Sequence, residues 1–258
     1  MTAWASYPYQ DRVVLVTGGG TGIGRAIVRS FLEQGASVAA VGRTRAALDE
    51  AVADFPAERV HVIVADLAES AAPADAVAET VARFGRLDVV VASAGTSEGS
   101  DIHDLDIAVW ERQRAINLDS VIALAAASVP HLTQTAGNLL AISSIAGLRG
   151  DWGMFAYNAT KAAVNVMMQA LALDLGAVGV RVNALAPGFT ASRLTQERLD
   201  DPEFRERLLD RVAIGRVADP EDIAKVALFL CSPDAGYMTG AIVPVDGGVS
   251  ASSGTPRS

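Results

Sequence analysis

Residues 12–35, RVVLVTGGGTGIGRAIVRSFLEQG, constrain the fold more than any other stretch of the chain. Arg12 to Thr17 is a short apolar, β-branched run that ends in glycines, the pattern of a buried strand. After the glycines, Ile27, Phe31 and Leu32 fall at helical spacing, and Gly35 stops the helix. A strand, a glycine turn and a helix in this order bring bare backbone close to a pyrophosphate and aim helix-terminal N–H groups at it. The spacing is Thr-Gly-x-x-x-Gly-x-Gly. The G-x-G-x-x-G pattern fails in every register, and Arg25-Ala26 stands where a nucleoside-triphosphate loop needs Lys-Ser/Thr. The turn alone leaves a purely structural role open.

The same alternation continues downstream. Strands are expected at 37–42 (SVAAVG), 60–65 (VHVIVA), 87–92 (LDVVVA), 138–143 (NLLAIS), 181–186 (RVNALA) and 241–245 (AIVPV), with helices at about 73–84, 109–132, 154–175 and 220–230. Pro244 suggests an edge or a bulge for the last strand. Asp219 before Pro220 suits an N-cap followed by proline at the first helical position. Repeated strand–helix units predict an α/β fold: one Rossmann-like doubly wound domain over residues 1–258, with a parallel sheet of about seven strands and helices on both faces. Ligands of such a sheet bind at the carboxyl ends of its strands. Residues 1–11 form an N-terminal arm, 189–212 a movable cover with Glu203, Arg207 and Arg211 on a solvated face, and 250–258 a loose tail.

Composition narrows the function. A net charge of −9 and a pI near 4.8 disfavour a nucleic-acid partner. Uninterrupted apolar runs stay short of the roughly 18 to 20 residues that span a bilayer, so no membrane partner is expected. The start, MTAWASYPYQDR, lacks a basic region followed by an apolar core, and a cytoplasmic location is expected. Cys231 is the single cysteine and sits in an apolar ALFLC context, while His61, His103 and His131 are widely spaced; no metal site is expected.

Two further features carry chemistry. Gly42 and Arg43 end the second strand where a dinucleotide fold that uses NAD places an acid on the ribose 2′-hydroxyl; a guanidinium there pairs with a 2′-phosphate instead, which favours NADP over NAD. The competing possibility is that Arg43 opens a solvated helix on which Arg45 and Asp49 pair at i,i+4. Second, Tyr157-Asn158-Ala159-Thr160-Lys161 puts a phenol and an ammonium on one helix face. The cation is expected to draw the phenol's pKa down toward that of a working acid or base. The chain has only two lysines, Lys161 and Lys225, against nineteen arginines, and one of them stands here. Ser144 ends the fifth strand thirteen residues before Tyr157, and Asn117 lies in an apolar helix where its amide needs a partner.

In the order TGGGTGIG, DL at 66–67, AG at 94–95, IN at 116–117, ISS ending at Ser144, YNATK, RVNALAPG at 181–188 and VDGG at 245–248, the chain resembles the short-chain dehydrogenase/reductase family along nearly its whole length. The resemblance implies an NAD(P)(H)-dependent oxidoreductase that interconverts a secondary alcohol and a ketone by hydride transfer. Tyr157 would be the general acid/base, and Lys161 would hold the nicotinamide ribose and lower the tyrosine's pKa. Ser144 would bind the substrate oxygen, and Asn117 would order a water in the proton relay. Cofactor contacts would come from Gly18, Thr21, Gly22, Ile23 and Gly24 at the first turn, Arg43, Asp66, Leu67, Ser93 and Gly95 at the next strand ends, then Tyr157, Lys161, Pro187, Gly188 and Ser192. The family's Asn-Asn-Ala-Gly is Ala92-Ser93-Ala94-Gly95 here, so the side-chain bonds that knit that turn must be missing or replaced. Thr21 stands where many NADP-using relatives carry a basic residue. Trp152, Met154, Phe189 and Leu194 are candidates to line an apolar substrate pocket. A homotetramer or homodimer is implied, with the alanine-rich helix around 120–128 as a contact. The alternatives are a 3-oxoacyl-thioester reductase of the acyl-carrier-protein type, a dinucleotide-sensing protein without catalysis, and a sugar-nucleotide epimerase; the last would need a different glycine spacing and a larger C-terminal part.

Overall fold

The glycine-terminated strand becomes the centre of the sheet. A computed structural model describes residues 5–193 and 195–253. Seven parallel strands run in the order β3-β2-β1-β4-β5-β6-β7: β1 Val13–Thr17, β2 Ser37–Gly42, β3 Val60–Val64, β4 Val89–Ala92, β5 Asn138–Ile142, β6 Arg181–Pro187 and β7 Ile242–Val245. Strand order reverses between β1 and β4, where Val14 pairs with Val38 on one side and Val89 on the other. This is the switch point at which a crevice opens. Pro244 is tolerated because β7 is the outer strand.

Both faces of the sheet are covered, which is why its strands read as unbroken apolar runs. Alternate residues of β1 serve opposite cores. Val14 and Val16 pack with Ile27, Phe31 and Leu228 beneath helices α1 (Gly22–Glu33) and α9 (Pro220–Cys231). Val13 and Leu15 pack with Leu132 and Met168 beneath α5 (Ser120–Thr135) and α6 (Phe155–Leu175). Helices α2 (Arg45–Val52) and α3 (Ala72–Phe84) complete the two layers. The N-cap expected at Asp219 is a full capping box, with Asp222 bonding back.

Residues 5–11 of the arm are held rather than loose. Tyr9 donates its hydroxyl to the Leu228 carbonyl at 2.6 Å and stands edge-on to Phe31. At the amino end of the sheet, buried Asp88 receives Arg12, Arg86 and the Val13 N–H. Burial by itself would raise that carboxyl's pKa, but these hydrogen bonds outweigh it and hold it below the ordinary range.

Two differences from the sequence-based expectations bear on the site. The helix expected over 109–132 is α4 (Ile107–Arg114) joined to α5 through a π turn at Ala115–Asp119. A π turn inserts one residue and rotates the helix beyond it, and here it turns Asn117 fully inward. The 189–212 cover is two short helices, α7 (Gln196–Leu199) and α8 (Pro202–Arg211), neither with a buried residue. Glu203 and Arg207 pair there at 3.4 Å in solvent.

Uninterrupted apolar runs understate how apolar two helical stretches are. By length and composition alone, Ile107–Thr135 and Phe155–Val178 are apolar enough to cross a bilayer. Each nevertheless buries one side against the sheet. The outer sides keep apolar residues exposed, Ile122, Val166 and Leu173 among them.

Candidate active site

The β1–α1 turn is built by close backbone contact. Gly18 and Gly22 have positive φ (+68° and +50°), and a Cβ on Gly24 would overlap the Gly18 carbonyl oxygen. The first N–H groups of α1 have no intrahelical partner, and the Thr21 side chain does not cap them. Backbone N–H groups, a bare surface and the positive end of a twelve-residue helix together fit a pyrophosphate. The turn is tied to the β4 end through Thr17, whose hydroxyl accepts the N–H groups of Ser93 (3.0 Å) and Ala94 (3.1 Å). That hydroxyl supplies the knitting expected to be lost with the family's asparagines.

The remaining cofactor candidates all lie at the carboxyl edge of the sheet or on the loops leaving it. A Cβ on Gly95 would stand 3.3 Å from Asn117 Oδ1 and 3.6 Å from Lys161 Nζ, so the β4 loop faces the lysine across the crevice. Ser192 overhangs the glycine turn, its Cβ 3.2 Å from where a Gly22 Cβ would be. Its hydroxyl lies 3.2 Å from that of Thr195, which in turn donates to the Thr190 carbonyl. Pro187 ends β6, and Gly188 passes so close to Asp246 that a side chain is excluded. Asp66 is exposed and accepts the Ala68 N–H. Leu67 is buried in the core on one face of the sheet and Ile23 packs against the core on the other, so a ligand at these positions would meet their backbones. Arg43 is exposed just before α2, and among the described residues it has no hydrogen bond or ion pair. Arg45 is the residue engaged by Asp49, at 2.9 Å.

Ser144, Tyr157, Lys161 and Asn117 converge on the floor of the crevice. Tyr157 lies half-buried in the first turn of α6, with the Ser144 side chain beside its hydroxyl. Ser144 Oγ also accepts the Ala146 N–H, so the serine shapes its turn as well as facing the phenol. Lys161 is buried, donates to the Ile142 carbonyl at 2.9 Å and lies 5.8 Å from the centre of the Tyr157 ring.

The expected direction of the phenol's shift is overturned. Burial raises the Tyr157 pKa, Asp151 adds to the rise, and the Ser144 hydrogen bond opposes it without prevailing. Burial also lowers the pKa of Lys161, to about 8. The resting phenol therefore keeps its proton at neutral pH, the state a proton donor needs.

The Asn117 amide has the partners that its apolar surroundings require. Its Oδ1 accepts the Thr96 N–H at 2.8 Å, and its Nδ2 donates to the Thr96 carbonyl at 2.9 Å and to Thr160 Oγ1 at 3.2 Å. Both amide hydrogens are engaged by protein groups, so the side chain clamps the β4 loop to α6. Sequence reasoning passed over Thr17, Thr96 and Thr160, although the first and last lie inside the quoted motifs.

The apolar-pocket candidates do not converge. Trp152 is almost fully exposed, and Phe189 packs on Phe204 within the cover while Arg198 stacks over both rings. Leu194 is outside the described residues. A concavity of about 850 Å3 lined by Glu206, Arg207 and Asp210 belongs to the cover and touches none of the convergent groups. Among the described residues, no three His, Cys, Asp or Glu side chains are grouped to hold a metal ion.

Comparison with known proteins agrees with this arrangement. The profile of a family described as enoyl-(acyl carrier protein) reductase matches residues 18–250. A meso-2,3-butanediol dehydrogenase of Serratia marcescens is 35% identical over 249 residues, which are 96% of this chain and 98% of that protein. A galactitol 2-dehydrogenase (L-tagatose-forming) of Cereibacter sphaeroides is 39% identical over 236 residues, 90% of this chain and 92% of that one. The crystal structure of a short-chain dehydrogenase/reductase described as glucose/ribitol dehydrogenase, from Brucella melitensis, superposes with a TM-score of 0.90 at 32% identity, covering 95% of this chain and 99% of that one.

Proposed function

We propose, for a chain that belongs to the short-chain dehydrogenase/reductase family and is therefore a nicotinamide-dependent oxidoreductase of CH–OH and carbonyl groups, that Tyr157 is the proton donor and acceptor and that the substrates are small neutral diols or polyols and their ketones. The observation that carries the assignment is a half-buried phenol beside Ser144, with the Lys161 ammonium 5.8 Å from its ring centre, at the carboxyl edge of the sheet. The nicotinamide, when bound, supplies or receives the hydride. In ketone reduction, Tyr157 passes its hydroxyl proton to the carbonyl oxygen as the hydride reaches the carbon; in alcohol oxidation the phenolate takes that proton back. Ser144 donates to the same oxygen and fixes its position. Lys161 stabilises the phenolate that forms and orients the ribose, while Asn117 and Thr160 keep the β4 loop against the helix that carries Tyr157. Orientation and a low-dielectric floor are what the chain adds to the chemistry.

Charge supports neutral substrates. Asp101, Asp104 and Asp106 on the loop after β4 are exposed, as is Asp151 on the facing loop, and the two loops are bridged at Ser100 and Met154. An anionic acyl carrier meets like charge there, on a protein whose net charge is already −9. NADP is the preferred cofactor on this reading, because Arg43 is unengaged and Gly42 leaves no competing acid. NADPH should bind about tenfold to hundredfold more tightly than NADH, the range of one charge-assisted contact, and Arg43→Ala should remove that difference while leaving NADH binding unchanged. Side-by-side titrations test the cofactor, and oxidation of meso-2,3-butanediol and galactitol against reduction of a carrier-bound 3-oxoacyl thioester tests the substrate. Tighter NADH binding would show that Arg43 does not select the cofactor, and faster thioester reduction would overturn the polyol reading.

The chain is also proposed to assemble with copies of itself, as a homodimer or homotetramer, through α5 and α6. Ile122, Val166 and Leu173 are 48%, 65% and 85% exposed on those helices, apolar side chains that a subunit contact would cover. Sedimentation at the mass of the 26.7 kDa single chain would overturn this.

A further inference from the structure

The first N–H groups of any helix lack an intrahelical acceptor, and a residue at the N-cap usually supplies one. Helix α6 does not follow that pattern. Its N-cap is Met154, whose side chain makes no cap hydrogen bond. The acceptor comes from a distant part of the chain instead: Ser100 Oγ takes the Ala156 N–H at 3.1 Å, across 56 residues of sequence. The Ser100 N–H donates to the Gly153 carbonyl at 2.7 Å, and Ser100 forms a parallel bridge with Met154. Ser100 is buried, so water does not compete for these bonds.

The placement of this hitch gives it consequence. Ala156 immediately precedes Tyr157. The loop that carries Ser100 leaves β4 through Ser93 and Gly95, is clamped at Thr96 by Asn117, and meets Gln113 of α4 through both backbone groups of Glu98. Thr96 and Ser100 thus fasten one short segment to the π turn at one end and to the first turn of α6 at the other. Tyr157 is held from below by its own helix and from the side by this segment.

We propose that Ser100 is a positioning residue for Tyr157: its hydroxyl caps α6 from outside the helix and sets the turn bearing the phenol against the β4 loop that borders the crevice. This rests on the reading of Tyr157 as the acid, and the test separates the two. In Ser100→Ala, hydrogen–deuterium exchange in the segment spanning residues 153–160 should rise roughly fivefold to tenfold, as expected for a lost cap. With the panel alcohol that the wild type oxidises fastest, kcat should fall about tenfold or more, because sub-ångström misplacement of a reacting group is costly, while the KM for the cofactor is unchanged. Ser100→Thr, which retains the hydroxyl, should restore both exchange and kcat. A purely structural role would lower the amount of active enzyme without this split between kcat and KM. Wild-type exchange or wild-type kcat in Ser100→Ala overturns the proposal, as does failure of threonine to rescue. Full activity in Tyr157→Phe overturns the assignment of the acid instead, a failure visible in that variant alone, and exchange in Ser100→Ala then decides whether the cap exists.

Discussion

Tyr157→Phe is expected to lower turnover by roughly a hundredfold to ten-thousandfold, the contribution of a positioned acid or base, with cofactor affinity and thermal stability close to wild type. Phenylalanine keeps the ring under the Lys161 ammonium and fills the same space. Only the hydroxyl is lost, and with it the transferable proton. Because burial holds the phenol protonated, the loss should appear in ketone reduction at neutral pH, where the donor form is the resting form. The check is steady-state turnover in both directions beside a direct NADPH titration. A variant that binds cofactor and still turns over at the wild-type rate would falsify the assignment.

Gly24→Ala is expected to lose cofactor binding by more than about a hundredfold and to cost roughly 1–3 kcal/mol of stability, the usual range for overpacking. The added methyl would overlap the Gly18 carbonyl oxygen. That oxygen is backbone, so no side-chain rotation can relieve the contact. Relief requires the backbone of the turn to shift, and the pyrophosphate N–H groups belong to that turn. Gly150→Ala is the control, since nothing lies within 4 Å of a Cβ there and its φ is ordinary; it should be neutral. Melting curves and NADPH titrations of both variants make the comparison. Wild-type NADPH affinity in Gly24→Ala would mean that the turn is not packed as described.

How much of the molecule is legible in its sequence depends on the range of the interaction concerned. The seven strands were visible because strands buried on both faces are written as short apolar runs, and the outer position of β7 was visible in Pro244. The i,i+4 pairs Arg45–Asp49 and Tyr157–Lys161 were visible because helical spacing is local. The π turn at Ala115–Asp119 was not, since one inserted residue leaves an alanine-rich apolar pattern almost unchanged. Nor was the engagement of the Asn117 amide by Thr96 and Thr160, which lie 21 and 43 residues away. Leu67 and Ile23 belong to a motif at a strand end or turn, yet their side chains face the core, a distinction that motif spacing does not encode.

By itself, the order of residues determined the α/β class, the glycine turn, the family and the set of groups available for proton transfer, because each depends on neighbours within a few positions or on a fixed succession of motifs. Tertiary structure alone decided what those groups do at rest. It set the direction of the Tyr157 shift, because desolvation is a property of the whole fold and outweighs the opposing effect of Ser144. It chose Thr96 and Thr160 as the partners of Asn117, left Arg43 without a protein partner among the described residues, and brought Ser100 to the head of the helix that carries the phenol. Burial and long-range hydrogen bonds are sums over residues far apart in the chain, and only the folded arrangement evaluates them.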